Sequence, residues 1–283
     1  MSGQIDGVMG LCALCGPDNR EARVLRQSHF LPKAVYRYFN VSKAEGTKLL
    51  LRTSQKNGVR SMGKQITQAL LCDTCEGLMS VEGEDYYSKM MLRVDPKNDL
   101  PSPVYKVLFE SILFLWSKMH VSGYGENIIF NVGSNCLRDI DSKRLYHFAI
   151  GMFWKATFTG WEHCPAMPLE ASLREDIRKF LLGGDYVEGY IIKIAPSFWR
   201  ARFGVIFPIL FQRQPYFSIQ QFDFYLEKDE RQFGRAISMG AIPLFYTVDS
   251  IRSVSMFRVM SETYKNSEKT KSSEETRLTW TAE

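Results

Sequence analysis

The 283-residue chain predicts an α+β fold, and three observations carry that expectation. Two C-x-x-C pairs bracket a basic segment in the first third. Apolar residues recur near helical spacing through the middle of the chain. From about residue 186 the pattern changes to a period near two. With 45% hydrophobic and 13% aromatic residues there is enough apolar surface for a core, and a collagen-like, low-complexity or wholly disordered chain is excluded. No window reaches the ~18 uncharged apolar residues of a membrane span. The opening MSGQIDGVMG has neither a basic n-region nor an apolar h-region, so a cytoplasmic protein without a signal peptide, and without a membrane partner, is expected.

The elements follow in order. After the first cysteine pair, residues 23–31 read as extended, and Pro32 suits the first turn of a helix over 33–39. Residues 40–64 read as strands and loops. The second cysteine pair leads into a helix over 73–93, whose initial Asp73 complements the helix dipole. Prolines at 96, 101 and 103 end it and mark a linker over 96–103. Helices are expected over 105–120, 142–161 and 169–182, the last stopped by Gly183-Gly184, with a short strand near 127–132. Strands are expected over 186–194, 203–211, 218–225 and 241–247. From residue 261 onward Ser, Thr, Glu and Lys predominate. The expected organisation is therefore an N-terminal module at 1–95, a linker at 96–103, a helical region at 104–185, a β-rich region at 186–260 and a flexible tail at 261–283.

Charge is unevenly spread. Residues 16–71 hold eleven basic and three acidic residues, +8 by themselves against +5 for the whole chain, so the remainder is slightly acidic. A basic island of this kind points to a polyanion partner. The plain alternative is a solvated lysine- and arginine-rich surface.

Cys12-Ala-Leu-Cys15 and Cys72-Asp-Thr-Cys75 frame the island. In a chain read as cytoplasmic, paired C-x-x-C units favour zinc over disulfides. Two thiolates two residues apart on a tight turn can share one tetrahedral ion, and a second pair completes a closed structural site. Gly16 directly after Cys15 suits the positive-φ turn such knuckles use. Cys136 and Cys164 lack a C-x-x-C partner and read as core cysteines.

One of four histidines, His29, lies inside the island in Gln27-Ser28-His29-Phe30-Leu31-Pro32-Lys33. A C-x-x-C knuckle, a strand ending in His-apolar-apolar-Pro, a variable stretch and Leu-Leu-Cys-x-x-Cys-Glu at a helix start follow in that order. This arrangement resembles the zinc-bearing branch of the HNH endonuclease superfamily over residues 10–95. The resemblance implies a zinc-bound treble-clef, or ββα-metal, module with Cys12, Cys15, Cys72 and Cys75 as structural Zn²⁺ ligands. It implies His29 as general base, and it places Glu76 where a histidine usually binds the catalytic ion. Two positions depart from the pattern: Ser28 precedes the base where aspartate or histidine is usual, and Thr67 stands five residues before Cys72 in place of asparagine.

Phosphodiester hydrolysis requires a deprotonated water and neutralised phosphate charge. A neutral histidine suits the first task. Mg²⁺ or Mn²⁺ held by Glu76, with Ser28, Thr67 or Glu84 as further donors, suits the second. Lys33 is placed to touch phosphate. The plain alternatives are a core histidine, a dipole-favoured carboxylate at Glu76 and a solvated Lys33. His120, His147 and His163 lack metal spacing and read as structural. Trp116, Trp154, Trp161 and Trp199 read as core, while Phe198-Trp199-Arg200-Ala201-Arg202 suits either nucleic acid or a strand edge.

The expectation is thus a metal-dependent endonuclease acting on nucleic acid, DNA ahead of RNA, whose C-terminal region engages a protein partner or regulatory ligand. By analogy it would serve as an effector of antiviral defence or of a toxin-like system. The competing expectation is a non-catalytic treble-clef subunit that binds nucleic acid or protein, favoured by Ser28 and Thr67.

Overall fold

The computed structural model describes residues 8–17, 19, 21–41, 49–52, 59–62, 65–92, 102–103, 128–131, 140–162, 164–196, 205–211, 213–219, 222–228 and 244–248. Within these, helix and sheet are mixed in one chain. The N-terminal part forms a three-stranded antiparallel sheet, β1 (Val8–Gly10), β2 (Arg23–His29) and β5 (Thr67–Cys72), in the order β1-β2-β5. Helix α1 (Lys33–Val41) and a β3 (Leu49–Arg52)–β4 (Val59–Met62) hairpin lie between β2 and β5 in sequence. The chain leaves β5 directly into α2 (Asp73–Met79), a π turn at Ser80–Glu84 and α3 (Asp85–Met90), so β2, β5 and this helix make a ββα-like unit.

A second, eight-stranded sheet has the order β4-β3-β8-β9-β10-β7-β11-β6. It contains β6 (Ile128–Asn131), β7 (Tyr190–Pro196), β8 (Val205–Phe211), β9 (Gln214–Ile219), β10 (Phe222–Lys228) and β11 (Leu244–Val248). The hairpin from the N-terminal part joins it by parallel pairing of Leu51 with Val205. Period-two alternation separates its faces. Phe217 and Phe224 stack with centroids 4.4 Å apart on the main-core side. The intervening Tyr216 and Tyr225 pack with Ile206 in a smaller cluster, where the Tyr216 hydroxyl donates to Asp223 Oδ1 at 2.8 Å.

Helix α4 (Ser142–Lys155) lies against that main face. Asp141 caps it by accepting from the Arg144 amide at 3.1 Å. Every residue from Leu145 to Lys155 is buried, because α4 is covered on one side by the sheet and on another by the 73–90 helix. Phe148 touches both, stacking on Tyr87 at 3.8 Å and meeting Phe217 and Phe224 edge-on. Helix α5 (Ala171–Leu181) packs beside α4 and ends where Gly183 and Gly184 donate to the Phe180 and Lys179 carbonyls. Phe30, at the end of β2, contacts Trp161 and Phe207, so the core runs continuously from the N-terminal sheet into the eight-stranded one. Of the expected linker, only Ser102 and Pro103 are among the described residues.

Several boundaries differ from the sequence expectation. The expected strand over 218–225 is two strands, β9 and β10, paired at Ile219 and Phe222. The break was hidden because no Gly or Pro marks it, only Gln220-Gln221 between two aromatic-rich stretches. Helix α4 stops at Lys155 rather than near residue 161, since Thr157 turns back to donate its hydroxyl to the Trp154 carbonyl at 2.7 Å. The buried Trp161 that follows prolonged the apolar pattern without prolonging the helix. The expected helix over 105–120 and tail over 261–283 lie outside the described residues.

The crossing of α4 with the 73–90 helix depends on Gly83. A Cβ there would stand 2.9 Å from the His147 Nδ1 and from the Phe148 amide nitrogen and 3.0 Å from the Phe148 Cα, so fixed backbone blocks it as well as a side chain. Gly83→Ala is expected to destabilise the chain by roughly 1–3 kcal/mol through overpacking, read as a lower urea midpoint with unchanged slope.

Candidate metal centre and the residues beside it

The first knuckle turns at Cys12–Cys15, and Gly16 closes it with φ of 78° and an amide donating to the Cys12 carbonyl at 3.3 Å. Its position is set by the Ala13 amide, which donates to the Leu70 carbonyl of β5 at 3.1 Å. Cys72 ends β5 and precedes α2, and Cys75 lies in that helix's first turn. The four sulfurs, from Cys12, Cys15, Cys72 and Cys75, lie within 4.8 Å of one another. Cys15 Sγ stands 3.8 Å from Cys72 Sγ and 3.5 Å from Cys75 Sγ. Four thiolates bound at ~2.3 Å around a tetrahedral ion have sulfurs ~3.8 Å apart, so this donor set fits a metal such as zinc. The expected convergence of the two knuckles is therefore present.

Electrostatics points the same way. Burial opposes ionisation at Cys72. Hydrogen bonds from the Cys75 amide and the neighbouring thiols outweigh it and bring Cys72 down to about 7. Burial and the same neighbours push Cys15 and Cys75 up, since a second and third thiolate would be crowded against the first. A dication removes that conflict. Two arginines attend the site. Arg23 stands beside Cys72, and a hydrogen bond to that side chain, helped by the charge of Cys15, raises the arginine's pKa. Arg178, 8% exposed on α5, donates from Nη1 to the Leu14 carbonyl at 3.0 Å and the Cys15 carbonyl at 3.3 Å. Glu175 holds that guanidinium through Oε1 and Oε2 at 2.6 and 2.8 Å.

The candidate catalytic residues sit on the same ββα-like unit. Ser28, wholly buried, donates to Glu76 Oε2 at 2.8 Å, joining β2 to α2. Two residues back along β2, Arg26 Nε donates to Asp73 Oδ1 at 2.8 Å in the first turn of α2. His29 is the last residue of β2, opposite Thr67, and is half-buried. Its Nε2 lies 2.6 Å from Gln65 Oε1. Burial lowers the His29 pKa below its ordinary 6.5; Lys33 adds to that, while Gln65, Glu76 and Glu84 oppose it. His29, Lys33, Glu76 and Glu84 thus share one electrostatic neighbourhood. Lys33 is exposed at the start of α1. Glu84 is engaged by Lys155, whose amino group also donates to the His29 carbonyl at 3.1 Å.

Gln65, Lys155 and Arg178 were not anticipated from the sequence. Only Lys155 left a signal, a single cation inside the apolar run Phe153-Trp154-Lys155-Ala156, which calls for a buried partner. His147 and Trp154 are buried as expected. Cys136, His120, His163, Trp116 and residues 198–202 lie outside the described residues. No helix among the described residues is long and apolar enough to cross a membrane. No protein-family model, curated protein or solved structure matches the chain.

Purified protein is expected to carry one Zn²⁺ per chain by elemental analysis, and Cys75→Ser to lose most of it. Stripping the metal should lower the midpoint of the whole thermal transition, because Arg178 ties the knuckle to α5.

Proposed function

We propose that the chain is a metal-dependent endonuclease of the HNH type, with a treble-clef module built on the four-cysteine centre. The observation that carries this reading is the half-buried His29, depressed in pKa and set among Lys33, Glu76 and Glu84 on the unit the cysteines staple together. His29 is neutral at pH 7 and takes the proton of the attacking water at a ring nitrogen, with Gln65 orienting the ring from Nε2. Glu76 offers carboxylate oxygens, one of them held by Ser28, which suits a hard cation that keeps several waters. Mg²⁺ or Mn²⁺ at that carboxylate supplies charge neutralisation at the scissile phosphate. Lys33 contacts backbone phosphate and positions the strand. The basic island favours a nucleic-acid substrate, DNA ahead of RNA. Action as a defence or toxin-like effector in the cytoplasm, with a protein partner at the C-terminal region, remains analogy with the family it resembles.

The second reading is a non-catalytic nucleic-acid- or protein-binding module. It is favoured by Ser28, whose hydroxyl serves Glu76 rather than adding the second strong ligand of the usual pattern.

Nicking of supercoiled plasmid in Mg²⁺ or Mn²⁺ separates the two. His29→Ala is expected to lower the rate roughly 10²–10⁴-fold with zinc content unchanged. Undiminished binding of plasmid with no nicking by the wild-type protein would establish the binding module instead.

The pH profile follows from the direction of the His29 shift. Protonation removes the base, so the rate should hold at pH 7 and fall only below about 6.5, the ordinary histidine value. Lys33→Ala removes a charge that lowers the His29 pKa, so its acidic limb should move to higher pH. The same variant should show a shallower salt dependence of binding.

A further inference from the structure

Lys155 is unusual among the cations of this chain. It is 1% exposed, at the last turn of a helix from the C-terminal half, yet its amino group ends beside the candidate site. There it pairs with Glu84 on the π turn and donates to the His29 carbonyl at 3.1 Å, across 126 residues of sequence. A buried ammonium needs an anionic partner and further acceptors, and Lys155 takes both from the unit that carries His29 and Glu76. The turn after Lys155 reinforces the same strand. Trp161 Nε1 donates to the Lys155 carbonyl at 2.8 Å, and the Trp161 ring meets Phe30, the neighbour of His29, edge-on at 4.9 Å.

We infer that Lys155 is a positioning residue for the candidate site: it fixes the end of β2 against the 73–90 helix and thereby sets where the His29 ring stands. This rests on the nuclease reading for its kinetic consequence, though not for its structural one. The C-terminal half is then part of the site and not only an appended partner-binding region. A strand end free to move by ~1 Å can cost about 10²-fold in rate.

The test uses the full-length protein with three variants: Lys155→Met, Lys155→Arg and the double variant Lys155→Met/Glu84→Gln. Nicking of supercoiled plasmid in Mn²⁺ gives kcat and KM, and diethyl pyrocarbonate labelling of His29, followed by mass spectrometry, reports the ring's exposure without reference to activity. Lys155→Met is expected to lower kcat about 10–100-fold with KM little changed, and to change the labelling rate several-fold. Lys155→Arg, which keeps the donor, should recover part of both. The double variant removes the buried ammonium together with its half-buried partner, so its thermal midpoint should return close to wild type. Its kcat and labelling rate should stay perturbed, because the bond to the His29 carbonyl is still missing. Should Lys155→Met fail to fold, the double variant carries the test alone. A double variant that regains stability, kcat and wild-type labelling together would reduce Lys155 to a structural cation and overturn the inference. If His29→Ala nicks as fast as wild type, the nuclease reading fails, and the labelling rates still decide whether Lys155 places His29.

Discussion

Helix α4 is the member on which the rest of the molecule leans. Nearly all its residues are buried, so the buried charge it carries, Lys155, must find its partners inside the protein. On one side it lies on the aromatic layer of the eight-stranded sheet, through Phe148 and Phe153 against Phe217 and Phe224. On the other it meets the 73–90 helix, whose approach is set by Gly83 and by the stack of Tyr87 on Phe148. The π turn at Ser80–Glu84 coincides with that crossing. An extra residue in the turn alters which side chains face α4, and the result here is that Glu84 meets Lys155. One helix thus organises the core and also braces the strand end that carries His29.

The four-cysteine centre works by a different physics. Its sulfurs are close because β5 hydrogen-bonds the first knuckle and delivers the second one at the start of α2. Once close, the thiols oppose one another's ionisation, which is visible in the upward shifts at Cys15 and Cys75 beside a lowered Cys72. Arg23 and Arg178 bring positive charge to the same spot from two distant parts of the chain. Arg178 lies over Gly16, where a Cβ would come within 2.6 Å of the guanidinium, so the positive-φ glycine serves the turn and the contact together. The arginine acts on peptide carbonyls, so the sulfurs are left as the donor set a metal could use.

What was legible in the sequence was chemistry encoded at short range. C-x-x-C spacing sets the geometry of two sulfurs on one turn, so two such pairs announced a joint site before any tertiary information. Ser28 and His29 are adjacent, and Cys75 and Glu76 are adjacent, so joining the knuckles brought a serine to a carboxylate and a histidine to their edge. Contacts that depend on long-range pairing were not legible. Nothing local in Arg178 marks it as a ligand of the Leu14 and Cys15 carbonyls, which precede it by 164 and 163 residues. Parallel pairing of Leu51 with Val205 likewise depends on how the β3–β4 hairpin meets the sheet. The broken strand at 219–222 and the shortened α4 share one cause. Burial made residues on both sides of each break apolar, and periodicity reports burial before it reports hydrogen bonding.

The departures from the usual nuclease pattern have a coherent physical reading. An aspartate at position 28 would sit wholly buried beside Glu76, two like charges at hydrogen-bonding distance, and one of them would have to take a proton. Serine places a neutral donor there instead, so Glu76 gains a fixed orientation with no second carboxylate beside it. The site then presents one oriented carboxylate at Glu76, a second carboxylate whose charge is answered by Lys155, and a histidine kept neutral by burial and Lys33. Glu84 answers the buried ammonium of Lys155, and on the proposed reading Glu76 is left to hold the cation. The arrangement sets a positive charge at the exposed Lys33 and a carboxylate at Glu76 on either side of His29, and on the proposed nuclease reading a phosphodiester and its counter-cation would align along that gradient.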